Sequence, residues 1–208
     1  MSDSTHHDRP LRLLTMNTPS GQAAQILVEE LRLRYHVRID HLVLDVRTGV
    51  ARSNGFLALS PNGEVPVLID NNADYLNKSA APFAVSGAGA IMLHLANQVD
   101  KSNLFYGAGD RDDSDVVSLM EYGLTNIAVP TDELIHFERS ADVGAPMLRD
   151  YWRACLLEGY EYLDKLLGGA AGGTPRIFCV GKGDGVYSLA DMLIWPFVAL
   201  GVRVLAGF

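Results

Sequence analysis

The spacing of apolar positions changes period near the middle of the chain, and two different kinds of element follow from it. Residues 11–16, LRLLTM, form a short apolar run that reads as a strand, and TPSG at 18–21 is a turn by composition. The run QAAQILVEELRLRY then places Ile26, Leu27 and Leu31 at the spacing of an amphipathic helix. VRIDHLVLDV (37–46) alternates well enough for a second strand, and a stretch rich in Ser, Asn and Gly leads to VPVLID (65–70), a third. After the turn residues DNNAD, PFAV (82–85) reads as a last short strand and GAIMLHLANQV (89–99) as a helix. The order β-α-β-irregular-β-β-α closes an α/β unit near residue 99.

Beyond DKSNLFYGAGDRDD the alternation disappears. The segments around 113–129, 145–167 and 188–202 carry helical periodicity with no strand between them. The expected organisation is therefore a polar tail at 1–10, an α/β domain at 11–99, a glycine-bearing linker at 100–114 and an all-helical domain at 115–208. One helix start is well marked. Ser188 precedes Asp191 by three residues, the spacing of a capping box in which side chains satisfy the first free N–H groups of a helix.

Composition narrows the function classes. The formal net charge of −8 lacks the basic face that a phosphate backbone demands, so nucleic acid is not an expected partner. No apolar run approaches the roughly 20 residues needed to span a bilayer, so no membrane partner is expected either, and MSDSTHHDRP has none of the pattern of a secretion signal. The two cysteines, Cys155 and Cys179, have no CxxC spacing. That argues against a zinc site or a disulfide framework, implies no metal, and fits a reducing cytoplasm.

The most unusual residue is Pro66, between two valines in PNGEVPVLID, because proline cannot donate a ladder hydrogen bond. Together with TPSG after the first strand, SLAD at 188–191, and an α/β unit followed by a helical one, this segment resembles the glutathione transferase superfamily. The likeness extends to its fungal and bacterial members related to the yeast nitrogen-catabolism regulator, and covers roughly residues 11–200. It implies a thioredoxin-like N-terminal domain that binds glutathione and an all-α C-terminal domain that holds a second substrate. It also implies a cis peptide bond between Val65 and Pro66, with the Val65 backbone pairing with the ligand's cysteinyl portion as an added strand, and a homodimer.

The departures from that pattern shape the reading further. Members of the superfamily open the helix after strand four with Glu-Ser-Gly-Ala-Ile, whose first two side chains hold the γ-glutamyl end. Here the segment is Ser86-Gly87-Ala88-Gly89-Ala90-Ile91, so Gly87 and Ala88 stand where Glu and Ser are expected. The remaining γ-glutamyl contacts are then Ser86 and the backbone amides of a helix N-terminus, which suit a carboxylate. The Tyr, Ser or Cys that favours the thiolate near the end of strand one is also missing from its usual place. Ser20 and Asn17 are the candidate donors, next to a helix start whose dipole favours an anion. In the helical half, Tyr122 and Asn126 are candidate substrate contacts, with His136 and Phe137 nearby in sequence. The chain's last residue, Phe208, follows Asp191 more closely than in relatives, which implies a more open substrate pocket.

Two function classes stay open. One is a glutathione-dependent enzyme adding the thiolate to a hydrophobic, conjugated electrophile, in a dedicated pathway such as secondary metabolism. If the adduct persists it is a transferase; if the thiolate leaves again it is a cis–trans isomerase that recycles glutathione. The other is a non-catalytic binding or regulatory protein on the same fold. A thioredoxin-type reductase ranks behind both, for want of a cysteine near the first strand.

Overall fold

The computed structural model describes residues 11–71, 83–106, 110–139, 146–168 and 174–207. The expected tail at 1–10 lies outside them. The chain divides into two compact units, residues 1–101 and 102–208.

In the first unit, β1 (Leu11–Thr15), β2 (Ile39–Val43), β3 (Val67–Asp70) and β4 (Phe83–Ser86) form one sheet in the order β2-β1-β3-β4. β1 and β2 run parallel, joined through helix α1 (Pro19–Tyr35), while β1–β3 and β3–β4 are antiparallel. Alternation along the strands assigns the faces. Leu14 and Val67 pack with Ala51 and Phe56, which the connection between β2 and β3 supplies through short helical turns and α2 (Asn54–Leu57). Leu13 and Leu68, both fully buried, point to the other face. Helix α1 and helix α3 (Ala88–Val99) pack on each other, burying Leu27, Val28 and Leu31 of one and Ile91, Met92 and Leu95 of the other.

Two boundaries differ from the sequence pattern for identifiable reasons. β3 starts at Val67 rather than Val65, because Pro66 has no N–H to enter the ladder. α1 starts at Pro19, ahead of the apolar run, because Pro at the first helical position needs no partner for its nitrogen and Thr18 caps the end.

The second unit is helical. α4 (Asp110–Tyr122) continues through a wide turn of π-helix at Gly123–Ala128 into α5 (Val129–Arg139), followed by α6 (Pro146–Leu167) and α7 (Leu189–Leu205). The wide turn has a cause in the sequence. Pro130 cannot donate to the carbonyl of Asn126, and its ring would crowd that carbonyl in a regular helix. Glycines sit where these helices approach most closely. A Cβ on Gly159 of α6 would lie 2.6 Å from the Asn126 carbonyl oxygen, and one on Gly123 would lie 2.5 Å from the Ile194 side chain of α7. Ile127, Leu156, Ile194 and Phe197 form the core between them. The Tyr160 hydroxyl donates to the Val198 carbonyl at 3.2 Å, and burial pushes its pKa up to about 12.

Candidate functional site

The first unit gathers most of the sequence-predicted residues at one end of its sheet. Leu14 of β1 is level with Val67 of β3, and Val67 is level with Ser86 of β4. The last residues of β1, the Val65–Pro66 pair and the start of α3 are therefore neighbours across three adjacent strands.

The Val65–Pro66 peptide is cis. Among the described residues, neither the N–H nor the C=O of Val65 is hydrogen-bonded, whereas the Pro66 carbonyl accepts from Gly87 N–H at 3.1 Å. The turn before Val65 is held independently. Buried Ser60 donates its hydroxyl to the Glu64 carbonyl at 2.9 Å and accepts from the Glu64 N–H at 3.2 Å, and Gly63, at φ +71°, donates to the Ser60 carbonyl. So the Val65 edge is fixed by its neighbours yet has no partner of its own, which is the condition for adding an extended peptide.

Two helix N-termini flank it. α3 is preceded by Gly87, which sits at φ +92° in the cap position and makes no side-chain cap, and no acidic residue lies in the helix's first turn. A Cβ at Gly87 would meet no heavy atom of the described residues within 4 Å, so the backbone conformation rather than space favours glycine there. The first-turn amides of Ala88 and Gly89 are free of capping side chains, and such amides together with the helix dipole favour an anion. Ser86 is exposed at the end of β4.

At α1 the polar residues divide their work. Thr18 is the cap, accepting from Gly21 N–H at 3.3 Å. Asn17 is exposed and its side-chain oxygen accepts from the Gln22 amide at 2.9 Å. Half-buried Ser20 stands in the first turn, and among the described residues its hydroxyl has no partner. The hydroxyl free to meet a ligand is thus that of Ser20. Gly21 is required by packing, since a Cβ there would lie 2.2 Å from the Met16 carbonyl oxygen.

One residue here was not singled out from the sequence. Arg52 is exposed, and its Nη1 lies 3.6 Å from where a Cβ on Gly63 would sit, against the turn that leads to Val65. It pairs with no carboxylate among the described residues, unlike Arg47, which forms two 2.8 Å bonds with Asp45. No sequence period marks Arg52, because it lies in the irregular connection.

In the second unit, the Tyr122 ring lies 4.4 Å from that of Tyr162 and its hydroxyl donates to the Gly159 carbonyl at 3.2 Å. Burial raises its pKa, with the Tyr162 and Glu158 charges adding to the shift. Tyr122 lines a cavity; Asn126 is exposed, and its amide donates to the Tyr122 carbonyl and the Thr125 hydroxyl of its own helix. The His136 and Phe137 rings stack edge to face at 5.5 Å. Among the described residues no cluster of three or more His, Cys, Asp or Glu is placed to hold a metal, and no helix is long and apolar enough to cross a membrane.

Comparison with known proteins fits this geometry. No protein-family model matches the chain. Ure2p in complex with glutathione superposes with a TM-score of 0.80 at 20% identity, covering 94% of this chain and 86% of that one. The glutathione transferase URE2P8 of Phanerochaete chrysosporium, with oxidised glutathione, gives 0.78 at 20% identity over 97% of this chain and 83% of that one. By sequence, the disulfide-bond oxidoreductase YfcG of Escherichia coli is 25% identical over 187 residues, 89% of this chain and 78% of that protein. The URE2 protein of Saccharomyces bayanus is 28% identical over 137 residues, 62% of this chain but 36% of that longer protein. The fold is that of the glutathione transferases, a thioredoxin-like α/β unit and a helical unit. The proteins it is similar to, by sequence and by structure, include the Ure2 type.

Proposed function

We propose that the protein binds glutathione at the end of the sheet where Val65, Gly87 and Ser20 meet, and acts on a hydrophobic conjugated electrophile. The observation that carries the binding is the Val65 backbone, held in place by the Ser60 turn yet unpaired among the described residues. The tripeptide's cysteinyl portion would add to this edge and to Pro66 as an extra strand. Its γ-glutamyl carboxylate would take the amides of Ala88 and Gly89, with Ser86 beside them. Arg52 is the group we assign to the glycyl carboxylate. The absence of a carboxylate at Gly87 leaves the ligand's ammonium without a charged partner from that position. A charge-assisted hydrogen bond contributes about 1.5–3 kcal/mol, so affinity would be roughly tenfold to a hundredfold weaker than with one.

The sulfur would lie at the α1 N-terminus. There the Ser20 hydroxyl donates to the thiolate, Asn17 supplies a further amide, and the dipole favours the negative form. The thiolate then attacks the electrophilic carbon. A persisting adduct makes the protein a transferase; expulsion of the thiolate after bond rotation makes it an isomerase. Tyr122, whose hydroxyl is engaged with Gly159, and Asn126 remain the second unit's candidates for contact with the substrate. We extend the superfamily's homodimer to this chain on the same terms.

A second reading draws on the relative named a disulfide-bond oxidoreductase. Bound glutathione thiolate would attack a disulfide substrate, releasing a thiolate, and a second glutathione would then resolve the mixed disulfide to oxidised glutathione and free thiol. No cysteine of the chain is needed, and both of its cysteines lie in the second unit.

The test is the thiolate absorbance of bound glutathione as a function of pH, in wild type and Ser20→Ala. The proposal expects a bound thiol pKa below that of free glutathione, moving back up in the variant. A bound thiol titrating like the free one in wild type contradicts it and favours a non-catalytic binding protein. Product analysis with a conjugated enone and with a small disulfide then separates adduct, isomer and oxidised glutathione.

A further inference from the structure

Of the buried residues in β1, Leu11, Leu13 and Leu14 are aliphatic, whereas Thr15 carries a hydroxyl at 2% exposure. A buried hydroxyl is costly unless it is paired. Its partner is half-buried His41 of β2, the strand at the edge of the sheet, whose Nε2 shares a 2.6 Å hydrogen bond with Thr15 Oγ1. β2 holds the same residue a second time, since the Leu44 N–H donates to the Thr15 carbonyl at 2.7 Å.

Thr15 is the last residue of β1, and the first turn of α1 rests directly on it. A Cβ on Gly21 would stand 3.3 Å from the Thr15 Cβ and 2.2 Å from the Met16 carbonyl oxygen, so no side chain cushions the contact. The bonds of the turn run within residues 16–22. Thr18 N–H donates to the Met16 carbonyl, and Thr18 in turn accepts from the N–H groups of Gly21 and Gln22. These bonds shape the turn from inside; the Thr15 side chain ties it to the sheet. Ser20 is the residue before Gly21.

We infer that His41 is a positioning residue: through its hydrogen bond to Thr15 it fixes the first turn of α1, and with it the Ser20 hydroxyl. The inference deepens the glutathione reading and rests on it for the place of the sulfur at α1. An aliphatic side chain at position 15 would fill the same volume, but a directional bond in a buried, satisfied pair selects one arrangement. Precision matters here, because a misplacement of about 1 Å at a reacting centre costs about a hundredfold in rate.

The experiment compares the full-length wild type with His41→Leu, Thr15→Val and His41→Gln, the last of which keeps a side-chain N–H able to reach Thr15. Without ligand, amide hydrogen exchange is followed by NMR. Relative to Leu31 of the same helix, the Gly21 and Gln22 amides are expected to exchange about tenfold faster in the first two variants and at the wild-type rate in His41→Gln. With glutathione, the pH midpoint of the bound thiol's absorbance is expected to rise by about half a unit or more in the first two variants. That is a loss of about threefold in thiolate, and His41→Gln is expected to restore it. Each of the two disrupting variants serves if the other fails to fold. Gly21 and Gln22 amides that keep pace with Leu31 overturn the inference, and so does a bound thiol lowered equally in wild type and both variants. A wild-type bound thiol that titrates like free glutathione overturns the thiolate site instead, and the exchange rates then decide by themselves whether His41 orders the turn.

Discussion

Helices α3 and α7 begin in opposite ways. At α7 the end is closed. Ser188 donates both its N–H, at 2.9 Å, and its hydroxyl, at 2.8 Å, to the Asp191 carboxylate, which also accepts Cys179 N–H at 2.9 Å. At α3 the end is open. Gly87 offers no side chain, no acidic residue follows, and the first amides are uncapped. A closed end spends its polar groups on the fold; an open end beside an unpaired strand edge keeps them for something else. The same contrast holds within the first unit, where Thr18 closes the start of α1 and Ser20, two residues on, has no partner among the described residues.

This comparison is broken most strongly at the closed end. Burial raises the Cys179 thiol from 9.0 to about 12, so at pH 8 its alkylation is expected to be about a thousandfold slower in native protein than in urea-unfolded chain. Mass spectrometry of timed labelling checks this. The sign of the linked pH effect follows. The unfolded chain releases this proton from about pH 9 while the folded chain holds it to about 12. The thiol's contribution to stability is therefore complete below 9 and lost as pH rises toward 12. Cys179→Ser should flatten that part of the stability profile in denaturant titrations.

Asp191→Ala comes next. It removes the acceptor for three hydrogen bonds at one helix start, and a loss of about 2–4 kcal/mol in urea unfolding is expected. Glutathione affinity should fall only as far as the folded fraction does. Gly87→Glu sharpens the open end instead. It restores a carboxylate for the ligand's ammonium at a site where a Cβ meets no heavy atom of the described residues within 4 Å, but at φ +92°. The expected result is glutathione binding about tenfold tighter, together with a stability cost of about 1–3 kcal/mol from the left-handed backbone. An unchanged affinity would mean that the ligand's γ-glutamyl end does not lie there.

How much of this was legible in the sequence depended on whether a pattern had a period or a punctuation mark. The alternation of Leu11, Leu13 and Val67, Ile69, and the helical spacing in α1, α3 and α6, gave the order of elements. Pro66 and the Ser188–Asp191 spacing each announced a backbone device, and both are present. Gly87 and Ala88 were legible as departures, and α3 does start there without a cap. What could not be read was tertiary. Thr18, Asn17 and Ser20 are equivalent turn residues in a string of letters, and only the hydrogen bonds separate the cap from the free hydroxyl. The wide turn ahead of Pro130 was not read from the pattern, because the close approaches at Gly159 and Gly123 that accompany it are tertiary. Arg52 lies in an irregular connection, where charge alone does not say which residue stands against the Gly63 turn.

The central claim is that the unpaired Val65 edge receives glutathione, and a calorimetric titration of the purified chain with glutathione tests it most directly. Val65→Pro, which deletes the edge's N–H, and Ala88→Pro, which deletes one helix amide at a position that tolerates proline, run alongside. The account predicts saturable, millimolar or tighter binding by wild type, lost in Val65→Pro and weakened about tenfold in Ala88→Pro. A folded wild type that takes up no glutathione at 10 mM (about the upper end of what such weak recognition requires), or a Val65→Pro variant that binds as wild type does, would contradict it.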